Sequence, residues 1–194
     1  MKVDLDKSSD EDLVKMVLEN PDSLTFLVNR YWEKLFWFVK RISYFSSEDI
    51  EDILQDVFIK VYKNINSFDE SYKFSTWIFQ ITRNTTIDAI RKNGAHPYEI
   101  GLDQGDLKLM LAENGISAEK QLINKEKLKE VESILNSLPF KYREVMVLKF
   151  LEEKNYEEIM DIVKKPKGTV ASLLNRGKTI FLEKAQKQGL FLDN

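Results

Sequence analysis

Acidic and amide side chains are concentrated in one short stretch, residues 48–56, which holds five carboxylates and no basic residue in nine positions. At three- and four-residue spacing such side chains share one helix face, and at a helix start the dipole favours their negative charge. The residues are Glu48, Asp49, Glu51, Asp52, Gln55 and Asp56. A face of this kind is either simply solvated, which is the commoner case, or a docking surface for a basic partner.

A second group of residues has the chemistry to bind nucleobases. In the polar loop 64–75, Tyr72 and Phe74 flank Lys73. Aromatic rings beside a cation are typical of surfaces that stack on unpaired bases. The same rings also suit a loop that tucks them into a hydrophobic core, and composition alone favours the core.

A polar stripe continues on the helix that follows this loop. Amide and guanidinium groups read base edges and hold phosphates, although a buried capping network has the same composition. The stripe consists of Gln80, Asn84, Asp88 and Arg91, with Arg83 and Lys92 beside it.

Four helices position these side chains. One helix is predicted over residues 10–19 with Ser9 as its cap, and an aromatic-rich helix over 23–43 is assigned to the core. The acidic helix buries a face from Ile50 to Val61. The helix over 75–92 is apolar on two sides, which predicts that it is sandwiched within a core. Together they form a compact helical domain.

The C-terminal part has the pattern of a helix-turn-helix. Asn155, with Glu158 three residues later, forms a capping box before a short helix, and a Lys/Pro/Gly turn leads into a longer one. Residues 164–187 carry a net charge of +6, whereas residues 152–162 carry −4. A generic helical hairpin with a basic tail is the alternative. The helix-turn-helix is favoured because the basic residues are concentrated on the longer helix, which would be the recognition helix.

Composition narrows the possible functions. The net charge is −3, which is not the basic balance of a protein that binds DNA unaided. There is no cysteine and only one histidine, so disulfides and zinc fingers are excluded and no metal site is predicted. No apolar run approaches the roughly 20 residues of a membrane span, and the acidic N-terminus does not resemble a signal peptide. We therefore expect a cytoplasmic protein.

Several of these segments together resemble a known family. EDIEDILQDVF, YKFSTWIFQITRN and IDAIRK resemble region 2 of bacterial sigma factors, and LPFKYREVMVLKFLEEKNYEEI followed by GTVASLLNRGK resembles region 4. The two-domain form is similar to the extracytoplasmic-function group. The resemblance implies an all-α fold with a region 2-like domain over residues 1–92, a flexible linker over 93–116 and a region 4-like helix-turn-helix domain over 117–194.

The resemblance also implies sites and partners. Asp49, Asp52, Gln55 and Asp56 would bind core RNA polymerase. The "minus ten" promoter element would be bound by Tyr72, Lys73, Phe74, Gln80, Arg83, Asn84, Asp88, Arg91 and Lys92. The "minus thirty-five" element would be bound by Lys165, Lys167, Thr169, Ser172, Asn175, Arg176 and Lys178. An anti-sigma factor is a further implied partner.

The C-terminal helix departs from the family pattern in ways that matter for DNA binding. Ala171 and Leu173 stand where basic residues are usual, and Asn175 where histidine or another polar residue is frequent. Fewer phosphate contacts imply weaker binding of the upstream element or a different contact set.

The sequence is less consistent with two other classes of function. A free-standing helix-turn-helix regulator would dimerise on paired half-sites, but the acidic helix, the aromatic loop and the long linker favour the sigma factor. An enzyme would need a metal-binding histidine pair, a phosphate-cradling glycine loop or a nucleophile elbow, and the sequence contains none. No catalytic residue, cofactor or small-molecule substrate is predicted.

Overall fold

The computed structural model describes residues 8–93 and 130–190. Within these ranges the helices are α1 (Asp10–Glu19), α2 (Leu24–Ile42), α3 (Ser47–Asn64), α4 (Phe74–Lys92), α5 (Phe140–Phe150), α6 (Tyr156–Val163) and α7 (Lys167–Lys187). Residues 130–136 are also helical, and the described residues contain no strand. The all-α prediction is therefore confirmed. Apart from Asn93, the predicted linker 93–116 and the predicted start of the second domain at 117 lie outside the described residues.

Capping side chains fix where the helices begin. The Ser9 hydroxyl accepts from the Asp12 amide at 3.1 Å, and Asn155 Oδ1 accepts from the Glu158 amide at 2.9 Å. In both cases the third-position carboxylate bonds back to the cap amide, which closes a capping box. Both caps were predicted from the sequence and are confirmed.

Helix α4 is buried on two opposite sides, as its apolar pattern predicted. It packs against α3 within the N-terminal domain (residues 8–93) and against α6 of the C-terminal domain (residues 130–190). Helix α2 likewise contacts α5. The buried apolar side chains of both domains belong to one cluster, so the hydrophobic core runs without a break from one domain to the other.

Three threonines of α4 are buried in this core with their hydroxyls paired, whereas Thr76 Oγ1 of the same helix is buried with no hydrogen-bond partner among the described residues. The side chains of Thr82, Thr85 and Thr86 each donate to the carbonyl four residues earlier, at 2.8–2.9 Å. All three are nearly inaccessible. Because each hydroxyl is satisfied within its own helix, these positions can be buried with little desolvation cost.

A glycine sets how closely α7 approaches α5. A Cβ atom on Gly177 would lie 3.0 Å from Met146 Cγ and 3.4 Å from Tyr142 Cβ. By contrast, a Cβ on Gly168, near the start of the same helix, would meet no atom within 4 Å. The close approach of α7 to α5 is therefore set at Gly177, in the middle of the helix, whereas Gly168 lies at an open position.

This difference gives a stability prediction. Gly168→Ala should stabilise the protein by up to about 1 kcal/mol, because alanine is the better helix former. In Gly177→Ala that gain should be cancelled or reversed by crowding, which costs about 1–3 kcal/mol in a packed core. Thermal unfolding followed by circular dichroism should rank Gly177→Ala below Gly168→Ala. Equal melting temperatures would show that Met146 simply moves aside.

Candidate functional site

The acidic face of α3 is exposed along its whole length. Asp49 helps to cap α3, since its carboxylate accepts a hydrogen bond from the Ser46 hydroxyl at 2.8 Å in the N-terminal capping box. Asp52, Gln55 and Asp56 are exposed and make no hydrogen bond or ion pair with any described residue. The face therefore presents unpaired acceptors to the solvent, which is the arrangement that a basic partner needs.

Two large apolar side chains continue this surface. Ile59 and Tyr62 follow the acidic residues at helical spacing and are 49% and 45% exposed. Sequence analysis did not select them, because a single exposed isoleucine or tyrosine is common on any surface. Ile59 lies three residues and Tyr62 six residues beyond Asp56, and this helical spacing is the signal that could have identified them. An acidic rim beside an apolar patch is a typical protein interface.

A cleft of about 280 Å³ lies between the C-terminal half of α3 and the middle of α4. It is lined by Lys60, Asn64, Ser67, Trp77, Ile81, Asn84 and Thr85. The cleft is thus lined by a half-buried indole ring, a carboxamide and an ammonium group, with Lys60 Nζ held 2.9 Å from Thr85 Oγ1. Stacking and edge hydrogen bonding of a flat heterocycle need these groups.

Of these cleft residues, sequence analysis had selected Asn84 alone. Trp77 lies on one of the two apolar sides of the helix predicted over 75–92, and Lys60 and Asn64 belong to a different helix. Lys60 and Asn64 are four residues apart and therefore share a face, but nothing in the sequence shows that this face meets α4.

The two aromatic side chains at the end of the loop before α4 differ in exposure: Tyr72 is exposed and Phe74 is buried. Tyr72 is 51% exposed, and Lys73 is also exposed. Phe74, in contrast, is completely buried and packs edge-on against Tyr31 and Phe68, with ring centroids 5.5 and 5.6 Å apart. The predicted contact of Phe74 with a DNA base is therefore wrong for this conformation, since its ring faces are covered by the core.

The polar stripe of α4 is largely accessible. Asn84, Asp88, Arg91 and Lys92 are exposed and Gln80 is half-buried. Arg91 Nη1 lies 3.6 Å from Asp88 Oδ1, which is an exposed pair of little energetic weight.

Arg83 does not lie on the accessible stripe. It is only 8% exposed, and its Nε and Nη2 donate to the two carboxylate oxygens of Glu144 on α5 at 2.7 and 3.2 Å. Burial raises the pKa of Glu144, although the positive charges of Arg83 and Lys165 act in the opposite direction. Arg83 does not present its donors to a phosphate in this conformation, because Nε and Nη2 donate to a carboxylate of the other domain and Nη1 donates to Asn84 Oδ1 at 3.4 Å.

Helices α6 and α7 form the predicted helix-turn-helix. The turn passes through Lys164, whose φ of 52° is in the left-handed region. Val170 and Leu174 bury the inner face of α7. The outer residues Lys167, Thr169, Ser172, Asn175, Arg176 and Lys178 are exposed, and Lys165 is half-buried. The predicted recognition residues are therefore brought together on one open surface.

The described residues show neither a metal site nor a membrane span. No group of three or more His, Cys, Asp or Glu residues in them is arranged to hold a metal ion. None of the described helices is both long and apolar enough to cross a membrane.

The fold and these surfaces define a two-domain helical protein with a helix-turn-helix in its second domain. The family model for Sigma-70 region 2 matches residues 27–96, and that for Sigma-70, region 4 matches residues 128–180. The chain is 34% identical over 161 residues to the ECF RNA polymerase sigma factor SigW of Bacillus subtilis, covering 81% of this chain and 86% of that protein. It is 32% identical over 188 residues to the ECF RNA polymerase sigma-E factor of Escherichia coli K12, covering 92% and 95%. The chain belongs to the extracytoplasmic-function (ECF) RNA polymerase sigma factors.

Solved structures show the same fold. CnrH, in complex with the cytosolic domain of CnrY, matches with a TM-score of 0.66 at 18% identity over 93% of this chain and 99% of that one. The sigma factor RpoE of Bartonella quintana, in complex with the anti-sigma factor NepR, matches with a TM-score of 0.64 at 22% identity over 82% and 94%.

Proposed function

We propose that this protein binds core RNA polymerase in the cytoplasm and directs transcription to specific promoters. Its N-terminal domain would recognise and open the "minus ten" element, and its helix-turn-helix would bind the "minus thirty-five" element. The observation that carries the proposal is the unpaired acidic face of α3, on a chain that belongs to the ECF sigma factors. A protein with net charge −3 needs such a partner to be held on DNA.

The polymerase surface would consist of Asp52, Gln55 and Asp56, extended by Ile59 and Tyr62. Exposed acids steer a basic partner and set the salt dependence of association. The neighbouring apolar side chains would supply the desolvated contact that keeps the complex together. Asp49 would contribute charge while it continues to cap α3.

The promoter-opening site would combine the α3–α4 cleft with Tyr72. Extruding a base from the duplex costs a few kcal/mol, which stacking and edge hydrogen bonds must return. Trp77 and Tyr72 supply aromatic faces, and Asn84 supplies both a donor and an acceptor. Lys60, Lys73, Arg91 and Lys92 supply positive charge for the backbone, with Gln80 and Asp88 as further polar contacts.

The upstream promoter element would be bound by the exposed face of α7. Thr169, Ser172, Asn175 and Arg176 would enter the major groove, and Lys165, Lys167 and Lys178 would lie nearer the phosphates. The apolar residues Ala171 and Leu173 leave this face with fewer cations than the family usually has.

We propose that the N-terminal domain spans residues 1–92 and the C-terminal domain residues 117–194, with a linker between them.

An anti-sigma factor is a further proposed partner. The neighbours CnrH and RpoE were both solved with a second protein bound, and NepR is titled an anti-sigma factor. The exposed apolar residues of α3 are one surface that such a protein would cover.

The recognition helix gives a testable contrast between base and phosphate contacts. Arg176→Ala should cost about 1–3 kcal/mol and relax preference at one base pair, if Arg176 binds a base edge through two hydrogen bonds. Lys167→Ala should weaken all sequences alike and reduce the salt slope by about 1. Binding of holoenzyme to a library of "minus thirty-five" variants measures both. Equal, sequence-independent losses would make Arg176 a phosphate contact only.

Run-off transcription tests the proposed function directly. Core polymerase should initiate from a subset of promoters in a genomic library only when this protein is added. The protein alone should bind duplex promoter DNA weakly. Tight binding of the free protein to a palindrome as a dimer, with no effect on polymerase, would contradict the proposal and favour a free-standing regulator.

A further inference from the structure

We propose that Lys164, in the turn between α6 and α7, binds a phosphate of the "minus thirty-five" element. This inference rests on the proposed function, because it adds a residue to the surface with which the helix-turn-helix would bind DNA. Three observations support it. They are the backbone conformation of Lys164, the directions of the two other lysines in the same turn, and the lack of a described partner for the Lys164 side chain.

The backbone of Lys164 is held in a conformation that disfavours lysine. Its φ and ψ angles are 52° and 51°, in the left-handed region, and the amides of Lys164 and Lys165 both donate to the Met160 carbonyl. These bonds close the C-terminus of α6. Glycine is the usual residue at such a position, because a Cβ atom there crowds the backbone. Lysine therefore introduces a local strain that glycine would not.

No contact within the described part of the chain offsets this strain. The Lys164 side chain is exposed and makes no hydrogen bond or ion pair with any described residue. Asparagine, the more usual side chain in the left-handed region, is accepted there because its short amide can hydrogen-bond locally. Backbone strain of this kind is concentrated at functional positions, so the free ammonium group of Lys164 points to a ligand outside the chain.

The two other lysines of this turn are directed toward acidic side chains. Burial raises the pKa of Glu144 on α5, and the positive charge of Lys165 acts in the opposite direction, so the half-buried Lys165 extends toward that carboxylate. Lys167 Nζ lies 4.0 Å from Glu157 Oε1 in an exposed pair. Of the three turn lysines, Lys164 is thus the one whose charge has no described acidic partner.

The position of Lys164 in the fold suits a phosphate contact. A recognition helix enters the major groove with its N-terminal residues, so the turn before it would lie beside a DNA strand. The start of α7 is uncovered, since a Cβ atom on Gly168 would meet no atom within 4 Å. An ammonium group on a flexible stem is a point charge that binds phosphate without reading a base.

Glu153 provides a matched control, because it has the same kind of strain and the opposite charge. Its φ is 51°, and its exposed side chain makes no hydrogen bond or ion pair with any described residue. It lies between α5 and α6, so Glu153→Gly relieves strain in the same domain without removing a cation. Lys164→Gly removes both strain and charge, whereas Lys164→Arg keeps both.

The glycine variants should agree in stability and differ in DNA binding. Lys164→Gly and Glu153→Gly should each raise the melting temperature by up to about 4 °C, because glycine adopts left-handed angles freely. Only Lys164→Gly should weaken binding of the holoenzyme to duplex promoter DNA, by about three- to tenfold, and reduce the salt slope by about 1. The loss should be equal on all "minus thirty-five" variants. Lys164→Arg should bind like the wild type.

Three results would overturn the proposal. Wild-type affinity and salt slope for Lys164→Gly would make Lys164 a turn residue only. A loss that depends on the base sequence would exclude a phosphate contact. An equal loss for Glu153→Gly would attribute the effect to the backbone and not to the charge. If Lys164→Gly does not fold, Lys164→Asn should show the same loss and the same change in slope, because asparagine also tolerates the left-handed region.

Run-off transcription by the wild type separates this inference from the proposed function. Normal promoter-specific transcription, together with any of the three contrary results, would leave the proposed function standing and overturn the role of Lys164 alone. Failure of the wild type to direct transcription would overturn the proposed function and, with it, the phosphate contact.

Discussion

Reversing the charges of Asp52 and Asp56 together is expected to weaken binding to core RNA polymerase by about a hundredfold, or about tenfold for each residue. The physical reason is that both carboxylates are exposed and unpaired, so their charge is available only to a partner. The free energy of unfolding should change by less than about 0.5 kcal/mol, since neither residue supports the fold. Binding measured at several salt concentrations should show a flatter salt dependence for the variant.

A control with the same net charge separates docking from general electrostatics. Each acid-to-lysine change adds two charges, so the double variant Asp52→Lys/Asp56→Lys and the double variant Glu19→Lys/Glu33→Lys have the same net charge. Glu19 and Glu33 are exposed on α1 and α2, whereas the acidic face belongs to α3. The control should bind polymerase almost normally. Equal losses in both double variants would mean that α3 is a solvated helix face and nothing more.

Removing the Asn84 side chain should impair promoter opening without affecting polymerase binding. Asn84 is exposed at the cleft between α3 and α4, where its carboxamide can pair with the edge of an extruded base. Loss of such a contact costs about 1–3 kcal/mol, which corresponds to roughly 5- to 150-fold less open complex. Tyr72→Ala should act at the same step, because stacking on an unpaired base has a similar magnitude.

Permanganate footprinting of the promoter bubble measures this step separately from closed-complex formation. Asn66→Ala is the matched control for Asn84→Ala, because Asn66 is an exposed asparagine of the segment between α3 and α4 that does not line the cleft. A wild-type bubble with both Asn84→Ala and Tyr72→Ala on cognate promoters would show that cleft and loop are structural.

Local patterns predicted the local structure of this protein well. The caps at Ser9 and Asn155 and the two-sided burial of α4 follow from side-chain chemistry and helical periodicity, which act within a few residues. The exposed positions of α7 were predicted for the same reason, because its inner face repeats at helical spacing.

Long-range partners could not be predicted in this way. The sequence shows that α4 is covered on two sides, but not that α6 provides one of the covers. Arg83 and Glu144 are separated by 61 positions, and no periodicity links them, so Arg83 was interpreted as a phosphate contact. Phe74 and Tyr72 have similar chemistry, and only the packing against Tyr31 and Phe68 distinguishes the core ring from the exposed one.

The unbroken hydrophobic core has a consequence for the lifetime of the protein in the cell. Small helical domains bury a modest fraction of their surface and are only marginally stable alone. While α4 and α6 remain packed, each domain adds to the stability of the other, and unfolding proceeds as one cooperative unit. Any separation of the domains on polymerase would remove that mutual support and replace it by contacts with the enzyme. A molecule released in the open form would therefore be the one most readily unfolded and degraded, so dissociation from polymerase would expose it to proteolysis until it closed again.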